Sequence, residues 1–154
     1  MTVADKVENA EILYRRVPNQ QPEFYSVADG GLQLSASAFN DPAKQPSVDR
    51  ARKCNSNPAH TKKNLTDGVV SLDALSVRQI ADIIQKDDHG QPKLTYKIDI
   101  IPDPIKDHPS LPDNPAHALI VSCPDFAEDK KSWKKLKECL ALLAFRGGWL
   151  IEPA

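Results

Sequence analysis

Two copies of the tetrapeptide Asn-Pro-Ala-His stand in this chain, at residues 57–60 and 114–117. Each copy places an imidazole directly after an Asn-Pro pair, a dipeptide that favours a turn. Histidine titrates near neutral pH and binds metal ions, so two histidines presented in the same way suggest a shared site. His60 and His117 are therefore the first candidates for chemistry.

Phosphodiester cleavage is one reaction that such a pair could carry out. Two histidines and a nearby cation can cleave a phosphodiester without a metal ion, with one imidazole as base and the other as acid. A cation would stabilise the charged transition state, and we assign this role to Arg16. Known two-histidine phosphoesterases carry a hydroxyl residue two positions after each histidine, whereas this chain has Lys62 and Leu119 there. The alternative is that both histidines are turn residues whose rings cap the end of a strand or helix.

Metal binding is a second chemistry to weigh in the same region. His108 and His117 flank a stretch that also contains Asp103, Asp107 and Asp113, and imidazole with carboxylate suits zinc and other divalent ions. The short histidine spacings of metal sites are absent from the sequence, as are the motifs of nucleotide-binding loops, nucleophile elbows and zinc fingers. We therefore predict neither a metal site nor a cofactor.

A basic stretch in the middle of the chain is the better candidate for contacts to phosphate groups. It surrounds His60 and contains little acid, and its basic residues are Arg50, Arg52, Lys53, Lys62 and Lys63. No aromatic side chain interleaves with them, so stacking on nucleic-acid bases is not predicted. A second basic group, the lysines between residues 130 and 137, lies on the polar side of a predicted helix, where lysines usually serve solubility.

The composition is that of an ordinary soluble domain. The chain has 154 residues, 27% of them charged, and a net charge of −1. It is long enough to bury a real core, and no global charge attracts nucleic acid or a membrane. The sequence has no apolar run of membrane-spanning length and no signal-peptide core, so we expect a cytoplasmic protein that does not bind membranes. The three cysteines fit neither a disulfide framework nor a zinc site.

Hydrophobic patterning predicts an α+β fold, a single domain over residues 1–154 with a mostly antiparallel sheet and two main helices. The predicted strands are residues 11–17, 23–27, 31–35, 94–101, 118–123 and 149–151. Helical spacing of apolar residues predicts one helix over residues 72–85. A second helix is predicted to begin near Asp125, which forms a capping box with Glu128.

Two stretches interrupt these elements. Residues 36–64 are polar, and we expect irregular structure there with one helical turn around residues 48–52. Residues 102–116 carry five of the 13 prolines, and proline excludes helix and central strand. They should form an extended, fairly rigid surface loop that joins two neighbouring strands and places His117 at the start of the second.

Several short motifs spread over most of the chain resemble a group of short bacterial proteins for which no activity is established. The motifs are Leu13-Tyr14-Arg15-Arg16, Ser37-Ala38-Phe39, Pro46-Ser47-Val48-Asp49-Arg50 and Asn114-Pro115-Ala116-His117-Ala118. The resemblance implies no catalytic assignment. It implies that the positions to mutate first are Arg16, Ser37, Phe39, Ser47, Asp49 and His117.

These observations favour two functions from different classes. The first is a small bacterial accessory protein that binds a protein or nucleic-acid partner, with binding residues Ser37, Ser47, Asp49, Arg50, Lys62 and Lys63. The second is a hydrolase or transferase that acts on a phosphodiester or nucleotide without a metal, through His60, His117 and Arg16. We favour the first because no motif is specific for catalysis. The sequence leaves open whether the chain is an enzyme and how many copies assemble.

Overall fold

A six-stranded antiparallel sheet forms the centre of the fold. The computed structural model describes residues 5–154. The strands are β1 (Ile12–Val17), β2 (Tyr25–Ala28), β3 (Gly31–Leu34), β4 (Ser47–Arg50), β5 (Gly68–Asp73), β6 (Ile84–Lys86), β7 (Pro92–Thr95), β8 (Lys97–Pro102), β9 (His117–Cys123) and β10 (Trp149–Ile151). The helices are α1 (Ala74–Arg78) and α2 (Lys130–Gly147). The central sheet has the order β10-β5-β1-β4-β9-β8, while β2–β3 and β6–β7 form separate two-stranded sheets. The predicted α+β domain with a mostly antiparallel sheet and two helices is confirmed.

The main hydrophobic core lies between the two helices and one face of the central sheet. Because α2 carries apolar residues at helical spacing, it buries a continuous stripe that includes Leu136, Leu140 and Ala144. These side chains belong to the same buried cluster as Leu13 of β1 and Leu72 of β5. Each fully buried aliphatic side chain of this kind contributes about 1.5–3 kcal/mol. We call this side of the sheet the helical face.

The opposite side of the sheet carries a smaller core. Successive residues of a strand point to opposite faces, so β1 sends Leu13 to the helical face and Tyr14 to this one. Asp49 of β4 lies directly opposite Tyr14 in the strand register and shares its face. Residues 51–67 cover this side, and the small core consists of Tyr14, Ala51, Cys54, Val69 and Ala116. We call it the Asp49 face.

The helix predicted over residues 72–85 is wrong over most of its length. Only α1 is helical, and it has five residues. The residues just before α1 belong to β5, whose Val69, Val70 and Leu72 pair with β1 along its whole length. Of the predicted helix, only Leu72 and Asp73 lie in β5, where pairing with Leu13 and Ile12 of β1 overrides the helical spacing. Ile84, at the other end, pairs with Thr95 in the β6–β7 hairpin.

Residues 36–64 are also more regular than predicted. β4 lies in their middle and pairs with β1 on one side and β9 on the other. Short 3-10 helices occupy Ala36–Phe39, Ala51–Lys53 and Pro58–Thr61. The partners of β4 are distant in sequence, so local polarity and prolines gave no sign of this central strand.

The second helix begins after Asp129 instead of near Asp125. The carboxylate of Asp129 accepts a hydrogen bond from the Ser132 N–H at 3.0 Å, which makes it the N-cap. Between the two aspartates, Phe126 is buried in the core, and Ala127 has a left-handed φ of 47°. An α-helix cannot run through a left-handed residue, so the capping box predicted at Asp125 does not form.

The proline-rich loop, residues 102–116, connects β8 to β9, which are neighbours in the sheet. Its only bridge among the described residues joins Ile105 to Asn114. Neither helix within residues 5–154 has the length and hydrophobicity needed to span a bilayer.

Candidate functional site

The two Asn-Pro-Ala-His copies fold into the same turn. In each, the asparagine Oδ1 accepts a hydrogen bond from the alanine N–H two residues later, at 3.1 Å for both Asn57 and Asn114. The asparagine carbonyl accepts a second bond from the histidine N–H, at 3.1 Å in the first copy and 3.4 Å in the second. Asparagine followed by proline favours this turn locally. The repeated sequence thus dictates a repeated local structure that ends in an imidazole.

The two copies also contact each other. The His60 ring of the first copy lies with Nε2 3.0 Å from Oδ1 of Asn114 in the second. Asn114 in turn donates from Nδ2 to Oδ1 of Asp49 at 2.8 Å, and Thr61 donates its hydroxyl to the other carboxylate oxygen of Asp49 at 2.8 Å. We call Asp49, His60, Thr61 and Asn114 the Asp49 network. It fastens residues 51–67 and the proline-rich loop to β4.

The hydrogen bonds of this network determine the tautomer of His60. The Asn114 amide must direct its NH₂ group toward the Asp49 carboxylate, because a carboxylate only accepts hydrogen bonds. Its oxygen therefore faces both the Ala116 N–H and His60 Nε2, so Nε2 carries the proton. In the neutral ring, Nδ1 is then left as an acceptor on an exposed residue.

His117 lies on the same face in a different environment. It is directly opposite Asp49 in the β4–β9 register, and opposed residues of an antiparallel pair share a face. Its Nδ1 lies 2.8 Å from the carbonyl oxygen of Asp103 and 3.2 Å from Oδ2 of the same residue. The His117 ring donates from Nδ1 to that carbonyl, and its side chain is only 15% exposed. It therefore ties the start of the proline-rich loop to β9 and is not bonded to His60.

Arg16 forms an ion pair with a buried carboxylate near the same segment. It lies two residues after Tyr14 on β1, so it points to the Asp49 face. Its Nη1 is 3.4 Å from Oδ2 of Asp67, which also accepts the N–H groups of Lys63 and Asn64 at 2.9 Å. Burial alone would raise the pKa of Asp67, but these backbone bonds and Arg16 hold that pKa below its usual value. Arg16 thus helps to anchor the end of residues 51–67.

The covering segment is strongly basic. Residues 51–66, which we call the basic segment, contain Arg52, Lys53, Lys62 and Lys63 and no Asp or Glu. Arg52 and Lys53 pair with acids outside the segment, Glu11 at 3.6 Å and Asp5 at 3.5 Å. Lys62 donates to the Leu65 carbonyl at 2.9 Å, and Lys63 is exposed. Two of the four cations are therefore paired with acids outside the segment, and Lys62 and Lys63 follow His60 by two and three residues.

Arg50 lies on the helical face and is fully buried. Its Nε and Nη2 each donate to one oxygen of Glu11 at 2.8 Å, a two-pronged ion pair. The same guanidinium donates to the backbone carbonyls of Asp5 and Lys6. A partner cannot contact Arg50 there, so we do not carry it into the proposed site.

The two predicted serines are separated by the sheet. Ser37 lies in the 3-10 helix Ala36–Phe39, which packs against α2, and so sits on the helical side. Ser47 begins β4, and alternation along the strand places its side chain on the Asp49 face. Of the predicted set, the fold therefore gathers His60, His117, Arg16, Ser47, Asp49, Lys62 and Lys63 on one side, and leaves Ser37 and Arg50 on the other.

Two central members of the site, Asn114 and Thr61, were not singled out by sequence reasoning. Asn114 belongs to the repeated tetrapeptide, and its amide connects the two copies. Thr61 directly follows His60 and carried no signal of its own. Their common partner Asp49 is distant from both in sequence, so only the fold identifies the network.

Other parts of the surface offer weaker candidates for a functional site. Two cavities of about 230 and 270 Å³ are lined by residues 42–45, 122 and 125–127 and by residues 6–9, 78 and 97–99, respectively, and neither includes His60 or His117. Within residues 5–154, no group of three His, Cys, Asp or Glu side chains is arranged to hold a metal ion.

Comparison of the chain with known protein families, curated proteins and solved structures found no match.

Proposed function

We propose that this protein is a small accessory protein of the bacterial cytoplasm that binds a nucleic-acid partner through the basic segment. The observation that carries the proposal is the acid-free run of residues 51–66, held against the sheet beside an exposed histidine. Clustered lysines and arginines neutralise phosphates and release counterions, and this release supplies most of the affinity for nucleic acid.

The anchoring of the segment supports this proposal. Hydrogen bonds to three residues outside the segment hold it in place: His60 bonds to Asn114, Thr61 to Asp49, and the N–H groups at 63 and 64 to Asp67. A binding surface that is ordered in advance loses less conformational entropy on association. Lys63 is exposed and the Arg52 side chain is 51% exposed, so phosphates can reach these two cations.

A protein is the alternative partner for this binding module. The proline-rich loop beside the segment is acidic, with Asp103, Asp107 and Asp113, and could complement a basic partner. Addition of a partner strand at the β8 edge is disfavoured, because Pro102 lacks an N–H and the Ile100 N–H already donates to Asp99 at 2.8 Å. The electrostatics of the basic segment therefore favour nucleic acid.

The test is the affinity of the purified protein for fluorescent 20-nucleotide RNA and DNA, measured by anisotropy over a range of salt concentrations. Replacing Lys62 and Lys63 together by alanine should weaken binding roughly tenfold and lower the slope of log K against log salt by about 2. The matched control replaces Lys134 and Lys135, which are exposed on α2, and should leave the affinity unchanged. Absence of binding at low salt, or equal loss in both double variants, would contradict the proposal.

A hydrolase or transferase that acts on a phosphodiester through His60 and His117 is the second candidate. One observation favours it, the hydrogen bond that holds the His60 ring in a single tautomer.

A further inference from the structure

The Nδ1 nitrogen of the exposed His60 ring is available as a proton acceptor on the Asp49 face. Its ring is fixed through Nε2 by Asn114, whose amide is itself fixed by Asp49 and by the Ala116 N–H. An imidazole held by a third group and offering its other nitrogen is the arrangement that general bases require. Nδ1 has no hydrogen-bond partner among residues 5–154.

We infer that His60 is a general base that removes the proton from a 2′-hydroxyl of bound RNA, so that the protein cleaves the strand it binds. The inference rests on the proposed binding of nucleic acid by the basic segment. In it, Asn114 and Asp49 are positioning residues, since they act on the substrate only through the His60 ring.

The nucleophile points to RNA as the substrate. No hydroxyl or thiol of the described residues is bonded to Nδ1 of His60, so the chain does not present a serine, threonine or cysteine nucleophile to this base. RNA brings its own nucleophile, the 2′-hydroxyl adjacent to each phosphodiester, whereas DNA lacks it. A base beside a phosphate-binding surface is sufficient to activate that hydroxyl.

The reaction balances without any group from outside the substrate and water. Nδ1 takes the 2′-hydroxyl proton, the 2′-oxygen forms a bond to phosphorus, and the bond from phosphorus to the 5′-oxygen breaks. The departing 5′-oxygen takes a proton from water, and the protonated His60 returns its proton to the resulting hydroxide. The products are a 2′,3′-cyclic phosphate and a 5′-hydroxyl, with no change in oxidation state.

Charge on the basic segment would assist the same step. The pentacoordinate phosphorane carries more negative charge on its non-bridging oxygens than the starting diester does. Lys62 and Lys63 follow His60 by two and three residues, and cations placed where charge develops lower the barrier. These lysines therefore contribute both to binding and to cleavage.

The decisive variant is His60→Gln. The Gln Nε2 amide can still donate to Asn114 Oδ1 and keep the segment anchored, but glutamine cannot accept a proton as a base. We expect wild-type protein to convert a 5′-labelled RNA to fragments ending in a 2′,3′-cyclic phosphate, and His60→Gln to cleave about 10²–10⁴-fold more slowly when both proteins are saturated with RNA. His60→Ala should regain part of the rate when free imidazole is added, which a merely structural histidine would not show. An RNA with one 2′-deoxy position should be uncut there.

The outcomes separate this inference from the proposed function. If the protein binds RNA and DNA but leaves RNA intact, the inference is overturned and the binding module stands. If His60→Gln cleaves as fast as the wild type, the activity belongs to another group and the inference is again overturned. If neither nucleic acid binds, the proposed function itself has failed, and the inference fails with it.

Discussion

At the scale of single residues, neighbours in one strand have opposite roles. Asp49 points to the Asp49 face and organises His60, Thr61 and Asn114. Arg50, the next residue, points into the helical side and is fully enclosed. Sequence reasoning placed both in one binding set, Asp49 from its motif and Arg50 from its positive charge, whereas the alternation of side chains along a strand separates them.

The same contrast holds for the two consecutive arginines of β1. Arg16 pairs with Asp67 on the Asp49 face. Arg15 faces the helical side and donates to the carbonyl oxygens of Ala38 and Ser47 at 3.0 and 2.8 Å. Burial lowers the pKa of Arg15 to about 10, a value at which it stays charged near neutral pH. Arg15 therefore bridges β1 to the segment that leads into β4.

Arg50→Met should lower the free energy of unfolding by about 3–5 kcal/mol, because it leaves the buried carboxylate of Glu11 without its ion-pair partner. The double variant Glu11→Leu with Arg50→Met should recover part of this loss, since neither charge is then buried alone. Urea unfolding followed by tryptophan fluorescence measures both.

Arg52→Met is the matched control for this pair. Arg52 also approaches Glu11, at 3.6 Å, but its side chain is 51% exposed, so its removal should cost less than about 1 kcal/mol. Equal losses of unfolding free energy for Arg50→Met and Arg52→Met would show that the buried Arg50–Glu11 pair stabilises the protein no more than the exposed Arg52 contact does.

At the scale of elements, local signals predicted some central strands, such as β1, and missed others, such as β4. The β2–β3 hairpin, the strand β9 and the body of α2 follow from turn residues and hydrophobic spacing. β4 falls in residues predicted to be irregular, and the last two residues of β5 fall in the helix predicted over residues 72–85; the hydrogen-bond partners of both strands are remote in sequence. The strand pairing that stabilises them involves residues far apart in the chain, so a short stretch of sequence does not reveal it.

The cap of α2 gives a prediction at this scale. Asp129 accepts the Ser132 N–H and, through Oδ2, the hydroxyl of buried Tyr96 at 2.8 Å. Asp129→Ala should cost about 1–3 kcal/mol of unfolding free energy, because it removes an N-cap and leaves a buried hydroxyl unpaired. The measurement is chemical unfolding followed by far-UV circular dichroism.

Asp125→Ala is the control, since the sequence favours Asp125 as the cap whereas the structure leaves it exposed ahead of the helix. Its effect should stay within about 0.5 kcal/mol, as for most surface substitutions. A larger loss from Asp125→Ala than from Asp129→Ala would place the helix start where the sequence pattern predicted it.

At the scale of the whole molecule, the central sheet separates a structural side from a polar side. The helical face holds the main core and the enclosed Arg50–Glu11 pair. The Asp49 face carries a small core beneath the basic segment and the proline-rich loop. Buried carboxylates anchor both sides, Glu11 on one and Asp67 on the other.

Acid should therefore destabilise the protein as a whole. The pKa values of Glu11, Asp67, Asp99 and Asp129 are all lowered: burial would raise each of them, but hydrogen bonds and neighbouring cations overcome it. The unfolded chain then binds more protons than the folded one as pH falls, so the free energy of unfolding falls with it. The stabilisation is complete above the ordinary values, 4.5 for Glu and 3.8 for Asp, and is lost as pH drops through the lower folded values.

Urea unfolding between pH 2.5 and pH 7 measures this dependence. Asp67→Asn should flatten the profile below about pH 4 by removing one of the four groups. A wild-type free energy of unfolding that stays constant or rises as the pH falls would contradict the lowered pKa values of these carboxyl groups.

The sequence by itself determined the class of fold, the repeated turn and the position of the basic segment, because each depends on residues close together in the chain. It also marked His60 and His117, since the identity of a side chain is visible without the fold. Only the tertiary structure decided which residues meet: that the two turns touch through His60 and Asn114, that Asp49 joins them, and that Arg50 is enclosed. The physical reason is that such contacts depend on strand register and on the alternation of faces, which are set by pairing between segments far apart in the chain.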